Sequence, residues 1–349
     1  MNARIAVVVA LGLLTTSVPS QACTTFCFEQ DGALVFGKNY DWNVDVGMVV
    51  VNKRGVVKQA LVDESPFTWT SRFGSVTFNQ YGREFPSGGV NEKGLVIELM
   101  WLDDTEYPAA DARAPLPTLQ WIQYQLDNAA TVGDVIASDK TVRVAAGTAM
   151  IHFLVADAQG STAAVEYLDG EMVVHRGGDL PYRALTNDTY ARSAEYARTF
   201  NDVTRELSKS SLDRFAIAAL ITATGPPPGS DPVQAAFDLL ARVSQGEYTQ
   251  WSIVYDIAAM RVHFRTRANP MVRRIDLAGL DFACDSPVRV LDMNTQFTGD
   301  VTGKLRDYTL DANRALIGTA FARTDFLRDI PGDALDALAR FPQTLHCAP

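Results

Sequence analysis

The chain has 349 residues, a formal net charge of −10, and 47% hydrophobic against 21% charged residues. That balance suits a globular enzyme, and 31 basic against 41 acidic side chains, with no basic stripe, argue against a nucleic-acid partner. Beyond the N-terminal apolar run, no stretch of about 18 apolar residues exists to span a membrane. Four cysteines and four histidines without CxxC or HExxH spacing offer no metal motif.

Met1-Asn-Ala-Arg4 carries a positive charge, residues 5–14 are uncharged and apolar, and Ser20-Gln21-Ala22 places small residues three and one before a cut after Ala22. This is the order of a secretory signal peptide. Residues 1–22 are therefore expected to be removed, and residues 23–349 to form one domain that is periplasmic or secreted. Cys23 then becomes the N-terminal residue, with a thiol and a free α-amine on the same residue. Their ordinary pKa values, about 8.5 and about 7.7–8.0, let the amine take the thiol proton during attack and return it to a leaving group. Two other uses of Cys23 stay open. A lipid on it would anchor the chain, although Ser20 stands where such signals carry an aliphatic residue. A disulfide would make it structural.

Thr24–Phe28 and Leu34–Phe36 flank a Gln30-Asp31-Gly32 turn and predict a β-hairpin. Met48–Val51 and Val56-Val57 predict a second pair around Lys53-Arg54-Gly55. Asn91-Glu92-Lys93-Gly94 turns into a strand over residues 95–102, in which Glu98 is expected to face a cleft or solvent. Leu119, Ile122, Leu126 and Ala129-Ala130 keep helical spacing, and Thr131-Val-Gly-Asp134 is a capping-box sequence for a short second helix. Strands return between His152 and His175. Helices are expected at about 189–202, 211–222 and 232–244, the last opened by Asp231-Pro232 at its cap and first turn. A final strand pair covers residues 249–266. With no βαβ alternation and no GxGxxG loop, these blocks predict an α+β fold, two antiparallel sheets packed together and covered by helices.

Cys27 falls in strand-like sequence and is expected to be buried, whereas Cys284 and Cys347 could bridge and pin the C-terminal tail. His152, His175, His263 and His346 read as strand or tail residues, so no papain-like Cys/His pair presents itself.

Cys23-Thr24-Thr25 is followed by Phe36-Gly37-Lys38-Asn39-Tyr40-Asp41-Trp42, then Gly89-Val-Asn-Glu-Lys-Gly-Leu95, Leu185-Thr-Asn187 and Ser210-Ser-Leu-Asp-Arg214-Phe215. In that order, and with the Trp251–Thr266 strand pair, they resemble the choloylglycine hydrolase and penicillin V acylase family. These are N-terminal-nucleophile hydrolases of linear amides, and the chain is most like the Gram-negative penicillin V acylase-like subgroup. The resemblance implies the four-layer αββα fold, no cofactor, a small-molecule acyl amide as substrate, and a homotetramer.

It also implies roles. Cys23 would be the nucleophile and its α-amine the proton shuttle, with Asp41 holding that amine. The Asn187 side chain and the Trp101 N–H would donate to the oxyanion. Arg214 would lower the thiol pKa, and Trp42 and Trp101 would face the acyl pocket. Lys38 departs from the family's arginine, keeping a charge but losing the guanidinium fork. The implied reaction runs through an acyl-thioester on Cys23, with phenoxyacetyl penicillins or N-acyl homoserine lactones as substrates and conjugated bile acids as the alternative. Lys38 also leaves open a reading of another class, an inactive envelope protein or a lipid-anchored binding protein. The acidic loop Asp103–Arg113 is expected to edge the pocket.

Overall fold

Strands buried on both faces organise this chain into two large sheets. The computed structural model describes residues 23–30, 32–62, 66–147, 149–200 and 210–349, so the expected signal peptide lies outside the described residues. In chain order the first strands are β1 (Thr24–Gln30), β2 (Ala33–Asp41), β3 (Met48–Asn52), β4 (Val56–Gln59), β5 (Thr68–Thr70), β6 (Ser75–Asn79), β7 (Pro86–Asn91) and β8 (Val96–Trp101). A short β9 (Ala114–Leu116) leads into α1 (Thr118–Asn128) and α2 (Val132–Ser138), and β10 (Val142–Val144) pairs back on β9. Next come β11 (Ile151–Ala156), β12 (Thr162–Leu168), β13 (Glu171–Arg176) and β14 (Ala184–Leu185), then α3 (Tyr190–Thr199), α4 (Ser211–Thr224) and α5 (Pro232–Arg242). The chain closes with β15 (Thr249–Asp256), β16 (Arg261–Thr266), β17 (Arg273–Asp276), β18 (Arg289–Asp292), β19 (Gly299–Asp300), β20 (Arg306–Asp307), α6 (Leu310–Ala322), α7 (Gly332–Arg340) and β21 (His346–Cys347).

One sheet runs β14-β1-β2-β15-β16-β17-β19 and the other β13-β12-β11-β8-β7-β6-β3-β18-β20. Neighbours are antiparallel except β17 and β19. β1 packs against β8 and β11 of the facing sheet, α4 and α5 cover the first sheet, and α1 covers the second. The result is the expected α+β arrangement of four αββα layers. At Gly37 a Cβ would come within 2.3 Å of the Phe26 ring, so only glycine leaves room for that ring on the face of the hairpin that α4 and α5 cover. No helix among the described residues is long and apolar enough to cross a membrane.

Local rules hold at several ends. Thr131 and Asp134 form the capping box of α2, and Asp231 caps α5 ahead of Pro232. Cys284 and Cys347 are joined, 5.7 Å apart at Cα, which ties β21 beside β4.

Three expectations are corrected. β3 and β4 do not pair with each other. β3 is buried throughout and takes β6 and β18 as neighbours, whereas half-exposed β4 joins β5 and β21 in a small separate sheet. Strand pairing continues past residue 266, through β17 to β21. Glu98 faces neither cleft nor solvent, being 1% exposed and bonded to the Tyr255 hydroxyl at 2.5 Å.

Candidate active site

The β1–β2 hairpin puts Cys23 and Asp41 side by side, because Thr24 pairs with Asn39 and the next positions outward bring Cys23 to the end of β2. Cys23 is 4% exposed and sits in a cleft of about 550 Å³. Tyr40, Asp41, Trp42, Ser87, Leu99 and Trp101 line the cleft around it.

Asn187, just past β14, meets three partners. Its Oδ1 accepts from the Cys23 main-chain N–H at 2.8 Å and from Arg214 Nη2 at 2.9 Å, and its Nδ2 donates to the Trp101 carbonyl at 2.8 Å. The amide nitrogen keeps a second N–H for another acceptor. Two neighbours hold the asparagine. Ser211 Oγ, at the start of α4, accepts from the Asn187 N–H at 2.8 Å. The preceding Thr186 carbonyl lies 2.7 Å from His152 Nε2, whose other ring nitrogen is 3.0 Å from Glu166. Burial pushes the Glu166 carboxyl up, but hydrogen bonds from His152 and His175 outweigh that and hold it at about 2.

Trp101 is paired with Ile151, yet the Leu102 N–H bonds the Met150 carbonyl and the Ile151 N–H goes to the Tyr107 hydroxyl. By the antiparallel alternation, Trp101 and Ile151 are a non-hydrogen-bonded pair. The Trp101 N–H therefore points away from β11, on the same side as the carbonyl that Asn187 holds.

Arg214 is fully buried on α4 and donates from Nη1 to the Cys23 carbonyl at 2.5 Å and to Thr24 Oγ1 at 2.7 Å. Lys38 is equally buried on β2 and donates to the Leu99 carbonyl. Burial raises the Cys23 thiol above its usual range. Lys38 opposes this most, the Asp41 charge adds to the rise, and the Asp41 N–H and then Arg214 favour the thiolate. Asp41 is pushed up to about 6 by burial, against Arg214, Thr249 and Lys38. Its Oδ1 accepts from Thr249 Oγ1 at 2.5 Å, while its Oδ2 is buried with no hydrogen-bond partner among the described residues.

Trp42 and Trp101 meet with ring centroids 6.3 Å apart over the cleft. Cys23, Lys38, Asp41, Trp42, Trp101, Asn187 and Arg214 are thus brought together from the residue before β1, from β2 and the residue after it, from β8 and α4, and from the segment beside β14. The loop Asp103–Arg113 contributes no side chain to the lining, and Asp103 instead accepts the Trp101 indole N–H at 2.6 Å. Asn91 is structural, since its side chain ties the Asn-Glu-Lys-Gly turn to the end of α1 through Leu126 and Ala129. Cys27 is buried, with its thiol pushed to about 12 by burial, and takes no part in the cleft. The sequence reading missed the opposite wall, formed by Phe321, Phe326, Leu327, Ile330 and Leu338 of the C-terminal helices and their connection. Apolar spacing in residues 310–340 was the available signal.

The family model for linear amide C–N hydrolases of the choloylglycine hydrolase family matches residues 23–236. The chain is 26% identical over 323 residues to a penicillin V acylase of Pectobacterium atrosepticum, covering 78% of this chain and 85% of that one. The structure of a penicillin V acylase from Agrobacterium tumefaciens superposes with a TM-score of 0.73 at 27% identity, covering 82% of this chain and 98% of the other. A conjugated bile acid hydrolase from Clostridium perfringens shares the fold at a TM-score of 0.65 and 15% identity, over 79% and 98% of the two chains. On these matches the chain belongs to the choloylglycine hydrolase family of linear amide C–N hydrolases and has its N-terminal-nucleophile hydrolase fold.

Proposed function

We propose that this chain is exported, cut after Ala22, and hydrolyses a neutral acyl amide through a thioester on Cys23. One observation carries the reading. The Cys23 nitrogen lies against Asn187 Oδ1, while the neighbouring carboxylate Asp41 keeps a buried, unpartnered Oδ2. Cleavage turns that nitrogen into an α-amine with protons to spare, and Asp41 is the acceptor beside it.

As Sγ attacks the amide carbon, its proton passes to the α-amine. The carbonyl electrons move onto oxygen, where the second Asn187 Nδ2–H and the Trp101 N–H donate. Collapse breaks the C–N bond, the α-ammonium protonates the leaving nitrogen, and the acyl group stays on sulfur. Water then attacks the thioester with the amine again as base, releasing the acid and restoring the thiol. Lys38 and Arg214 supply fixed positive charge that favours the thiolate.

Among the described residues, Asp41 is the sole charged one lining the cleft, which supports an uncharged acyl group. Trp42 and Trp101 offer flat apolar surface for an aromatic or aliphatic one. The two penicillin V acylase relatives favour phenoxyacetyl penicillins as the first substrates to try, with N-acyl homoserine lactones beside them and conjugated bile acids as the second reading. The test is hydrolysis of these three classes by the processed protein, by Cys23→Ala, and by a chain with its cleavage site blocked. Turnover by the processed protein alone is expected. Turnover by the blocked chain would overturn the reading, because its Cys23 has no amine.

A further inference from the structure

The cleft above Cys23 is walled on one side by a part of the chain that the family match does not reach. That match ends at residue 236, yet Phe321, Phe326, Leu327, Ile330 and Leu338 all line the cleft. Resting on the function proposed above, we infer that this C-terminal segment is the distal wall of the acyl pocket and that Phe326 sets how long an acyl group is accepted.

The segment is fastened to the elements that carry the site. Arg323 pairs with Asp45 at 2.6 Å, Asn43 Nδ2 donates to the Arg323 carbonyl at 3.3 Å, and the Tyr81 hydroxyl lies 3.2 Å from Thr324 Oγ1. Arg314 on α6 reaches Asp336 on α7 at 2.7 Å, and Asn313 Nδ2 donates to the Ala339 carbonyl at 2.9 Å, so the two helices hold each other. The connection between them is pinned where it begins, at Arg323 and Thr324, and Phe326 follows directly.

Phe326 is 44% exposed, although its ring centroid is only 6.0 Å from that of Trp101. An aromatic ring left half in water beside the cleft gains free energy when an apolar ligand covers it. From the tryptophan pair, the lining passes through Phe326 to Ile330 and Leu338 without a charged group among the described residues. A short acyl group lies only against the tryptophan pair, whereas a longer aliphatic chain continues onto the C-terminal wall.

The test is a series of N-acyl derivatives of one amine, from butanoyl to dodecanoyl, given to the processed protein and to its Phe326→Ala and Phe326→Leu variants. In Phe326→Ala the ratio of kcat/KM for dodecanoyl to butanoyl is expected to fall about tenfold through KM, and Phe326→Leu to restore most of it. Binding of the same amides to Cys23→Ala, with and without Phe326→Ala, is followed by tryptophan fluorescence and should show the same ordering without turnover. An unchanged ratio in a protein that does hydrolyse these amides overturns the inference and leaves the hydrolase reading standing. Dodecanoyl binding that weakens in the Phe326 variant, from a protein that hydrolyses none of the amides, supports the wall while removing the hydrolase reading. Unweakened binding in that variant overturns the wall directly. Because Phe326 is half exposed, its truncation leaves the core intact, which circular dichroism checks.

Discussion

Lys38 and Glu98 face each other at 3.9 Å with neither side chain reaching solvent, one on each of the two packed sheets. Gly88, paired with Glu98 on the neighbouring strand β7, leaves room for the carboxyl, since a Cβ there would come within 2.3 Å of it. Lys38 is also the strongest positive influence on the Cys23 thiol. A buried pair therefore underlies the candidate nucleophile, on the side away from Arg214.

Glu98 is pushed up to about 7 by burial, against the pull of Lys38 and of the Tyr255 hydroxyl. The folded protein thus keeps a proton that the unfolded chain loses above about 4.3. Its share of stability is greatest at low pH and falls as pH rises from about 4.3 to about 7. Glu98→Gln should remove that share, making the loss of stability between about pH 5 and about pH 8 smaller by on the order of 2 kcal/mol. Denaturant unfolding of both proteins at the two pH values checks this, and parallel profiles would count against it.

Lys38→Met removes the cation that pulls the Glu98 carboxyl down, so Glu98 should hold its proton to still higher pH. It also takes away the largest charge holding the thiol down, so Cys23 should titrate higher. The rate of thiol alkylation against pH, measured on the processed protein, should move to more alkaline pH. A curve that stays in place would show that Lys38 does not act on Cys23.

Asn187→Ala removes a donor proposed for the oxyanion and should lower kcat about 10²–10³-fold, or about 2.7–4 kcal/mol, with a smaller change in KM. Steady-state kinetics on the best substrate separates the two. A loss confined to KM would reduce Asn187 to a residue that holds the Cys23 nitrogen and the Trp101 carbonyl.

Cys347→Ser, or reduction of the protein, frees β21 from Cys284 across a sequence separation of 63 residues. The expected loss is about 2–4 kcal/mol, read as a lower denaturant midpoint under reducing conditions. An unchanged midpoint would mean that β21 is held by its pairing with β4 alone.

Local signals made the hairpin after Cys23, the capping box at Thr131 and the Asp231-Pro232 helix start legible in the sequence, because each is decided by residues a few positions apart. The pairing of β3 was not legible. Its partners β6 and β18 are set by which strands share the buried sheet, and the nearest strand-like segment, β4, belongs to a different one. Glu98 misled for a related reason. A carboxylate in an apolar strand signals exposure unless its cation is known, and Lys38 is sixty positions away on the facing sheet. The family motifs placed Asp41, Asn187 and Arg214 near Cys23, where composition and spacing could not. No such motif covers residues 310–340, and the wall they form went unread.

Cys23, exposed as an N-terminus, is the residue proposed to carry the acyl group. The most direct measurement is the intact mass of the exported protein, quenched during turnover of its best amide substrate. The expected protein begins at Cys23, bears one acyl group removable by hydroxylamine, and shows no such adduct as Cys23→Ala. Turnover by a chain that begins elsewhere, or an acyl group trapped on another residue, would contradict it.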